Sequence, residues 1–163
     1  MKNLYIDFDG VILDTLTYIY RDLEESGKTY TDEQRKKFYI NYNWESVIKD
    51  EFIINDSINC IKKIIDSNKF NLAILTHVNS INEAVLKIKY LRKYFKDITI
   101  IPCPKEISKT QMIHTKDAIL IDDYSGNLRE WKKEGGIHVK FSLGVEPNEF
   151  IVIKKLDEIL NLF

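Results

Sequence analysis

Five short apolar runs punctuate the chain, and most of them end abruptly in polar or turn-forming residues. Residues 4–6 run into Asp7-Phe8-Asp9-Gly10, residues 72–75 into Thr76-His77, and residues 118–121 into Asp122-Asp123. Residues 98–101 are followed by Pro102 and Pro104, which are predicted to stop regular structure there. Residues 137–141 form the fifth run. Continuous apolar runs of this length read as strands buried on both faces of a parallel sheet. Amphipathic segments lie between them. Ile81, Val85, Ile88 and Leu91 fall at helical spacing across 80–94, and Ser108 is placed to cap a short helix to about residue 114. Residues 126–134 read as a helix closed by Gly135-Gly136, and 149–162 as a last helix. Strands alternating with helices predict an α/β fold, a parallel sheet with right-handed crossovers.

Residues 16–54 break this rhythm. They are rich in Tyr, Glu, Lys and Asp and contain no strand-like run, with helical pieces predicted over 16–26, 32–40 and 44–50. The segment reads as a small helical insertion after the first strand, within a single domain spanning 1–163. Tyr18, Tyr20, Tyr39, Tyr42 and Trp44 crowd into it. Aromatic side chains bury large areas, so most are expected to form the insertion's own core. Tyr42 and Trp44 lie in an Asn-rich stretch and are the candidates for contact with a substrate, where an aromatic face could stack on a nucleobase.

Composition narrows the function classes. With 44% hydrophobic and 30% charged residues the chain is that of an ordinary globular protein with a sizeable core. A net charge of −1 gives no basic surface for nucleic acid or anionic membrane. The two cysteines, Cys60 and Cys103, lack a CxxC partner, and the three histidines lack metal-ligand spacing, so neither a disulfide framework nor a zinc site is expected. Asp7 and Asp9 interrupt any leader-like apolar core, and no run is long enough to span a membrane, which makes the cytoplasm the expected location.

The polar strand ends are where chemistry is expected. In an open parallel sheet these ends lie along one edge, where ligands bind. Asp7 and Asp9 supply a nucleophile and a neighbouring acid, Thr76 a hydroxyl, Lys105 or Lys109 a cation, and Asp122-Asp123 further carboxylates. Hard oxygen donors of this kind suit Mg²⁺ together with substrate phosphate oxygens. The set fits phosphoryl transfer, in which the protein supplies positioning and charge neutralisation. Lys109 is preferred to Lys105 because it follows Ser108 at a helix start. A strand-end Asp can also be a simple turn or cap residue, and Asp14 is read that way.

The pattern resembles the haloacid dehalogenase (HAD) superfamily of phosphohydrolases. Asp7, Asp9, Gly10, Asp14 and Thr15 match its DxDGxxxD[ST] motif, Thr76 its strand-end Thr/Ser, and Asp122-Asp123 its acidic pair. Within residues 118–141, the stretch Ala-Ile-Leu-Ile-Asp-Asp-Tyr-Ser-Gly-Asn through the closing Gly-Gly resembles the 5'(3')-deoxyribonucleotidase branch. The resemblance implies a three-layer Rossmann-like sheet with a small cap. It implies that Asp7 attacks phosphorus, that Asp9 protonates the leaving group and then deprotonates water, and that Lys109 neutralises charge. It places phosphate against Thr76, the amide of His77 and the turn at Gly10. Mg²⁺ is assigned to Asp7, Asp9 (through its carbonyl) and Asp123, with Asp122 as ligand or orienting group. The implied activity is Mg²⁺-dependent hydrolysis of a small phosphate monoester, a nucleoside or deoxynucleoside monophosphate in particular. A phosphatase for other esters is the alternative. A phospho-accepting signalling domain fits less well, because its acceptor Asp would follow the third strand, which here ends in Pro102-Cys103-Pro104.

Overall fold

The computed structural model describes residues 1–163. Six parallel strands form one sheet: β1 (Lys2–Ile6), β2 (Phe70–Val78), β3 (Thr99–Pro104), β4 (Ile119–Asp122), β5 (Ile137–Phe141) and β6 (Ile151–Ile153). Their order is β3-β2-β1-β4-β5-β6. The direction of winding reverses between β1 and β4, and at such a switch point the flanking loops part to leave a crevice.

Side chains alternate across the sheet. Leu4, Ile6, Ile74, Ile119 and Ile121 face one side, where they join α3 (Ser57–Asp66), part of α4 (Ile81–Arg92) and a 3-10 helix over Leu156–Asn161. Leu75 and Leu120 face the other side, against Leu128 and Trp131 of α6 (Ser125–Lys133). The sheet is thus the middle of three layers. Trp131 is fully buried because its indole N–H donates to the Ala118 carbonyl at 2.9 Å, removing the cost of burying that donor.

The structure corrects several sequence expectations. Pro102 and Pro104 lie inside β3, which tolerates them as an edge strand paired only with β2. The helix expected over 149–162 is replaced by β6 and the 3-10 helix, because the β-branched Ile151, Val152 and Ile153 extend the sheet beside β5. Helix α3 was not anticipated; its β-branched Ile58, Ile61 and Ile64 are poor helix formers held by burial.

Between β1 and α3 lie α1 (Leu16–Glu25), α2 (Asp32–Asn41) and two 3-10 turns over Trp44–Ser46 and Asp50–Phe52, in place of a helix over 44–50. These elements have their own small core of Ile19, Trp44 and Val47, with Phe38, Tyr39 and Tyr42 packed around it. The segment leaves and rejoins the sheet at one neck. Leu13 bridges Ile53, the Asp14 amide donates to the Phe52 carbonyl at 2.8 Å, and the Ile54 amide to that of Ile12 at 3.1 Å.

Candidate active site

Asp7 is the first residue beyond β1, and its amide continues the ladder to the Ile121 carbonyl of β4 at 2.9 Å. This register sets it beside Asp122 at the end of β4. Lys109, the first residue of α5 (Lys109–Met112), joins the two: Nζ donates to Asp7 Oδ1 at 2.8 Å and to Asp122 Oδ2 at 2.7 Å. A capping box, Ser108 with Gln111, fixes the start of this short helix and hence the direction of Lys109. Lys105 lies apart at the mouth of the cavity described below, so of the two lysines only Lys109 reaches the acids.

Asp122 is fully buried and its carboxylate is already engaged. Besides Lys109, Oδ2 accepts from Asn127 Nδ2 at 2.9 Å, and Oδ1 accepts from the Tyr124 amide at 2.8 Å. Asp123 differs: its carboxylate projects over Gly10 with no side-chain donor upon it. Gly10 adopts φ +74°, and a Cβ there would lie 2.9 Å from Asp123 Cγ and nearer still to Oδ2. The glycine therefore serves both the left-handed turn and the space that Asp123 occupies.

One oxygen each from Asp7, Asp122 and Asp123 lie within 4.8 Å of one another. Crowding three carboxylates this closely has an electrostatic consequence. Burial, reinforced by Asp122, pushes Asp7 up to about 7 despite the opposing pull of Lys109. Burial, reinforced by Asp7 and Asp122, pushes Asp123 up to about 8. Burial by itself would depress Lys109, but Asp122 and Asp7 outweigh it and hold the ammonium above its ordinary value. One lysine does not neutralise the cluster. The all-oxygen donor set and the free carboxylate of Asp123 fit a hard divalent cation such as Mg²⁺.

Asp9 turns away from this cluster. Its Oδ1 accepts from Thr15 Oγ1 at 2.7 Å and its Oδ2 from Lys87 Nζ at 2.6 Å. Lys87 is fully buried and also donates to Thr76 Oγ1 at 3.0 Å and to the His77 carbonyl at 3.1 Å. Thr76, fully buried, donates in turn to the His77 carbonyl at 3.2 Å, so its hydroxyl is engaged within the protein rather than turned to the cavity. His77 is half-buried, with Nε2 2.9 Å from the Ile107 carbonyl; burial depresses its imidazole below the ordinary range.

A cavity of about 480 Å³ opens over Asp7, Asp9 and Asp123. The insertion contributes Ile19, Tyr20, Tyr39 and Trp44 to its wall, while His77 and Asn79 approach from β2 and its loop. Of the two aromatic candidates, only Trp44 lines it, and that residue is 2% exposed, its indole N–H held by the Tyr39 carbonyl at 2.9 Å. Tyr42 lines instead a separate, acid-free cavity of about 760 Å³ beside Tyr30 and Phe38. Its hydroxyl donates to Asp22 Oδ2, which draws it into the insertion's packing and away from the acids. Tyr20 and Tyr39, rather than Tyr42, are the tyrosines of the insertion that line the cavity over the acids.

Lys87 and its partner Glu83 had no signal in the apolar pattern, of whose four residues only Leu91 is buried and Ile88 is half-buried. Ile81 and Val85 are exposed, and the inward residues are Glu83, Lys87, Tyr90 and Leu91. The i,i+4 spacing of Glu83 and Lys87, normally a mark of a solvated face, was the one clue.

No family model matches the chain, and no curated protein matches it in sequence. Its fold is similar to solved structures. A HAD phosphatase from Thermococcus onnurineus superposes with a TM-score of 0.64 at 18% identity, covering 99% of this chain and 97% of the other. A HAD-superfamily hydrolase from Ehrlichia chaffeensis gives 0.59 at 18% identity over the same shares. A D,D-heptose 1,7-bisphosphate phosphatase from B. bronchiseptica, solved with magnesium and phosphate, gives 0.56 at 12% identity, again over 99% and 97%. The likeness establishes a HAD-type, Rossmann-like α/β fold.

Proposed function

We propose that the protein is a Mg²⁺-dependent phosphatase that hydrolyses phosphate monoesters through an aspartyl-phosphate on Asp7. The observation that carries this is the Asp7–Lys109–Asp122 arrangement at the carboxyl edge of the sheet, with Asp9 two residues beyond Asp7 and Asp123 free beside it. The phosphatases among the similar folds support the same class of reaction.

Asp7 attacks phosphorus with one carboxylate oxygen as the bond from phosphorus to the ester oxygen breaks. Asp9 gives its proton to that departing oxygen, a contribution of roughly 10²–10⁴-fold in such steps. A water then attacks the phosphorus of the aspartyl-phosphate, Asp9 takes the water's proton, and phosphate leaves with Asp7 restored. Lys109 holds the Asp7 carboxylate in place and offsets the phosphate charge, and Asp122 fixes Lys109 from behind. The β2 end at His77 and the turn at Gly10 would border the phosphate, with the Thr76 hydroxyl held back by Lys87 and the His77 carbonyl. Asp7, Asp123 and the Asp9 carbonyl would hold Mg²⁺, with Asp122 orienting rather than ligating because its oxygens are already engaged. When bound, Mg²⁺ supplies the positive charge that lets a carboxylate approach a phosphate dianion.

The substrate is a nucleoside or deoxynucleoside monophosphate in this proposal. Tyr20, Tyr39 and the exposed Tyr124 border the cavity next to the acids, where a base could stack. Phosphate release would be measured from ribo- and deoxynucleotides, sugar phosphates and phosphorylated oligonucleotides, with Mg²⁺ and with EDTA. Mg²⁺-dependent release concentrated on nucleotides is expected. Release from sugar phosphates alone would overturn the nucleotide assignment, and release from none the phosphatase itself.

A further inference from the structure

Lys87 is the largest unexplained feature of the molecule. A fully buried ammonium is costly to desolvate, and a well-packed apolar residue often serves stability as well or better. Here the group sits between the rings of Phe8 and Trp44, with Nζ 5.1 and 5.4 Å from their centroids. Its three N–H donors are all assigned, to Asp9 Oδ2, Thr76 Oγ1 and the His77 carbonyl. Glu83 Oε2 lies 2.6 Å away without accepting a well-directed hydrogen bond, and acts on Lys87 through its charge. Glu83 is itself fixed by the Asn79 amide at 2.8 Å and Asn79 Nδ2 at 2.9 Å. The group is thus held from α4, from the end of β2, and by Trp44 of the insertion.

We propose that Lys87 is a positioning residue for proton transfer by Asp9. Resting on the phosphatase assignment above, it holds Asp9 Oδ2 while Thr15 holds Oδ1, and so fixes this carboxylate apart from the Asp7–Asp122–Asp123 cluster, at the cavity wall, where it meets the ester oxygen and then water. The geometry separates the two carboxylates that follow β1. Asp7 belongs to the acidic cluster; Asp9, two residues on, is drawn aside by an ammonium that has no access to solvent. Lys87 remains an ammonium throughout. The proton that reaches the leaving oxygen comes from Asp9, and the proton lost by water returns to it. Lys87 lies outside the lining of the cavity, so it acts on substrate only through Asp9.

The test uses the full chain with Mg²⁺ and two esters: an aryl phosphate whose leaving phenolate needs no proton, and an alkyl phosphate whose leaving alkoxide does. Lys87→Met is the direct variant. Because it strands Glu83 as a buried charge, E83Q/K87M is made beside it, removing both charges together. Stopped-flow and steady-state rates are compared with wild type, with circular dichroism as the check on folding. The expected result is a kcat for the alkyl ester lower by about 10²-fold, the scale of general acid–base help, with KM little changed. On the aryl ester the first turnover should survive within about 10-fold, followed by slow turnover and accumulated aspartyl-phosphate, since water activation also needs Asp9. Equal losses on the two esters without a burst would reduce Lys87 to a structural part and overturn the proposal, as would wild-type rates in either folded variant. Failure of both variants to fold would do the same. A wild-type protein that releases phosphate from neither ester overturns the phosphatase assignment first, and this proposal with it.

Discussion

Gly10→Ala probes the acidic cluster without changing its charge. Two effects follow from the structure. At φ +74° an L-residue carries about 1–2 kcal/mol of left-handed strain. The new methyl would also stand 2.9 Å from Asp123 Cγ. Carbon atoms in contact prefer about 3.5–4.0 Å, so the Asp123 carboxylate has to retreat by about 1 Å. A displacement of that size at a reacting centre is worth about 10²-fold in rate. The variant is therefore expected to lose about 1–2 kcal/mol in urea denaturation, to bind Mg²⁺ more weakly by calorimetry, and to release phosphate about 10²-fold more slowly. Retention of wild-type Mg²⁺ affinity and rate, with only the stability loss, would refute the placement of Asp123 at the cation.

Other expectations follow from the same geometry. Asp7→Asn should abolish turnover while the metal-free protein melts no lower than wild type, because the substitution removes one of three crowded carboxylates; both are read from phosphate release and a thermal scan in EDTA. The raised values of Asp7 and Asp123, about 7 and about 8 against an ordinary 3.8, make the folded chain bind more protons than the unfolded one between about pH 4 and pH 8. Their contribution to stability is present in full below the unfolded value and is lost as pH rises through the folded ones. The melting temperature in EDTA should therefore fall from pH 5 to pH 9, and Mg²⁺ should raise it more at the alkaline end. Trp44→Ala should cost about 3–5 kcal/mol locally, seen as lost amide-exchange protection in residues 16–54 with the sheet still protected.

The strands that build the carboxyl edge of the sheet were legible because they are buried on both faces and read as unbroken apolar runs. The acids at their ends stood out because nothing else in those runs is polar. Lys109 was identifiable from Ser108, whose cap sets the helix start. Helix α4 was found, but only the Leu91 end of its apolar stripe faces inward. Apolar periodicity assumes that what is buried is apolar, and here Glu83 and Lys87 occupy the inward stripe while Ile81 and Val85 face water. The pairing that makes this tolerable joins α4 to Asp9, 78 residues earlier in the chain, and no local window contains both partners. Tyr42 was misplaced for a related reason. Its position depends on Asp22, twenty residues away on α1, whose carboxylate captures the hydroxyl.

The neck at Leu13 and Ile53 has a consequence for how such a protein can diversify. Both ends of the intervening segment meet at one pair of facing backbone stretches, tied by the Asp14–Phe52 and Ile54–Ile12 hydrogen bonds. The sheet is thus presented with the same two adjacent chain ends whatever is strung between them. Lengthening or reshaping that segment alters the roof over the acids without moving a strand. Selection for a new substrate and selection for the proposed phosphate chemistry can then act on different stretches of the same chain, and Lys87, which reaches from α4 to Asp9 and Trp44 alike, is one of the few places where the two would have to be adjusted together.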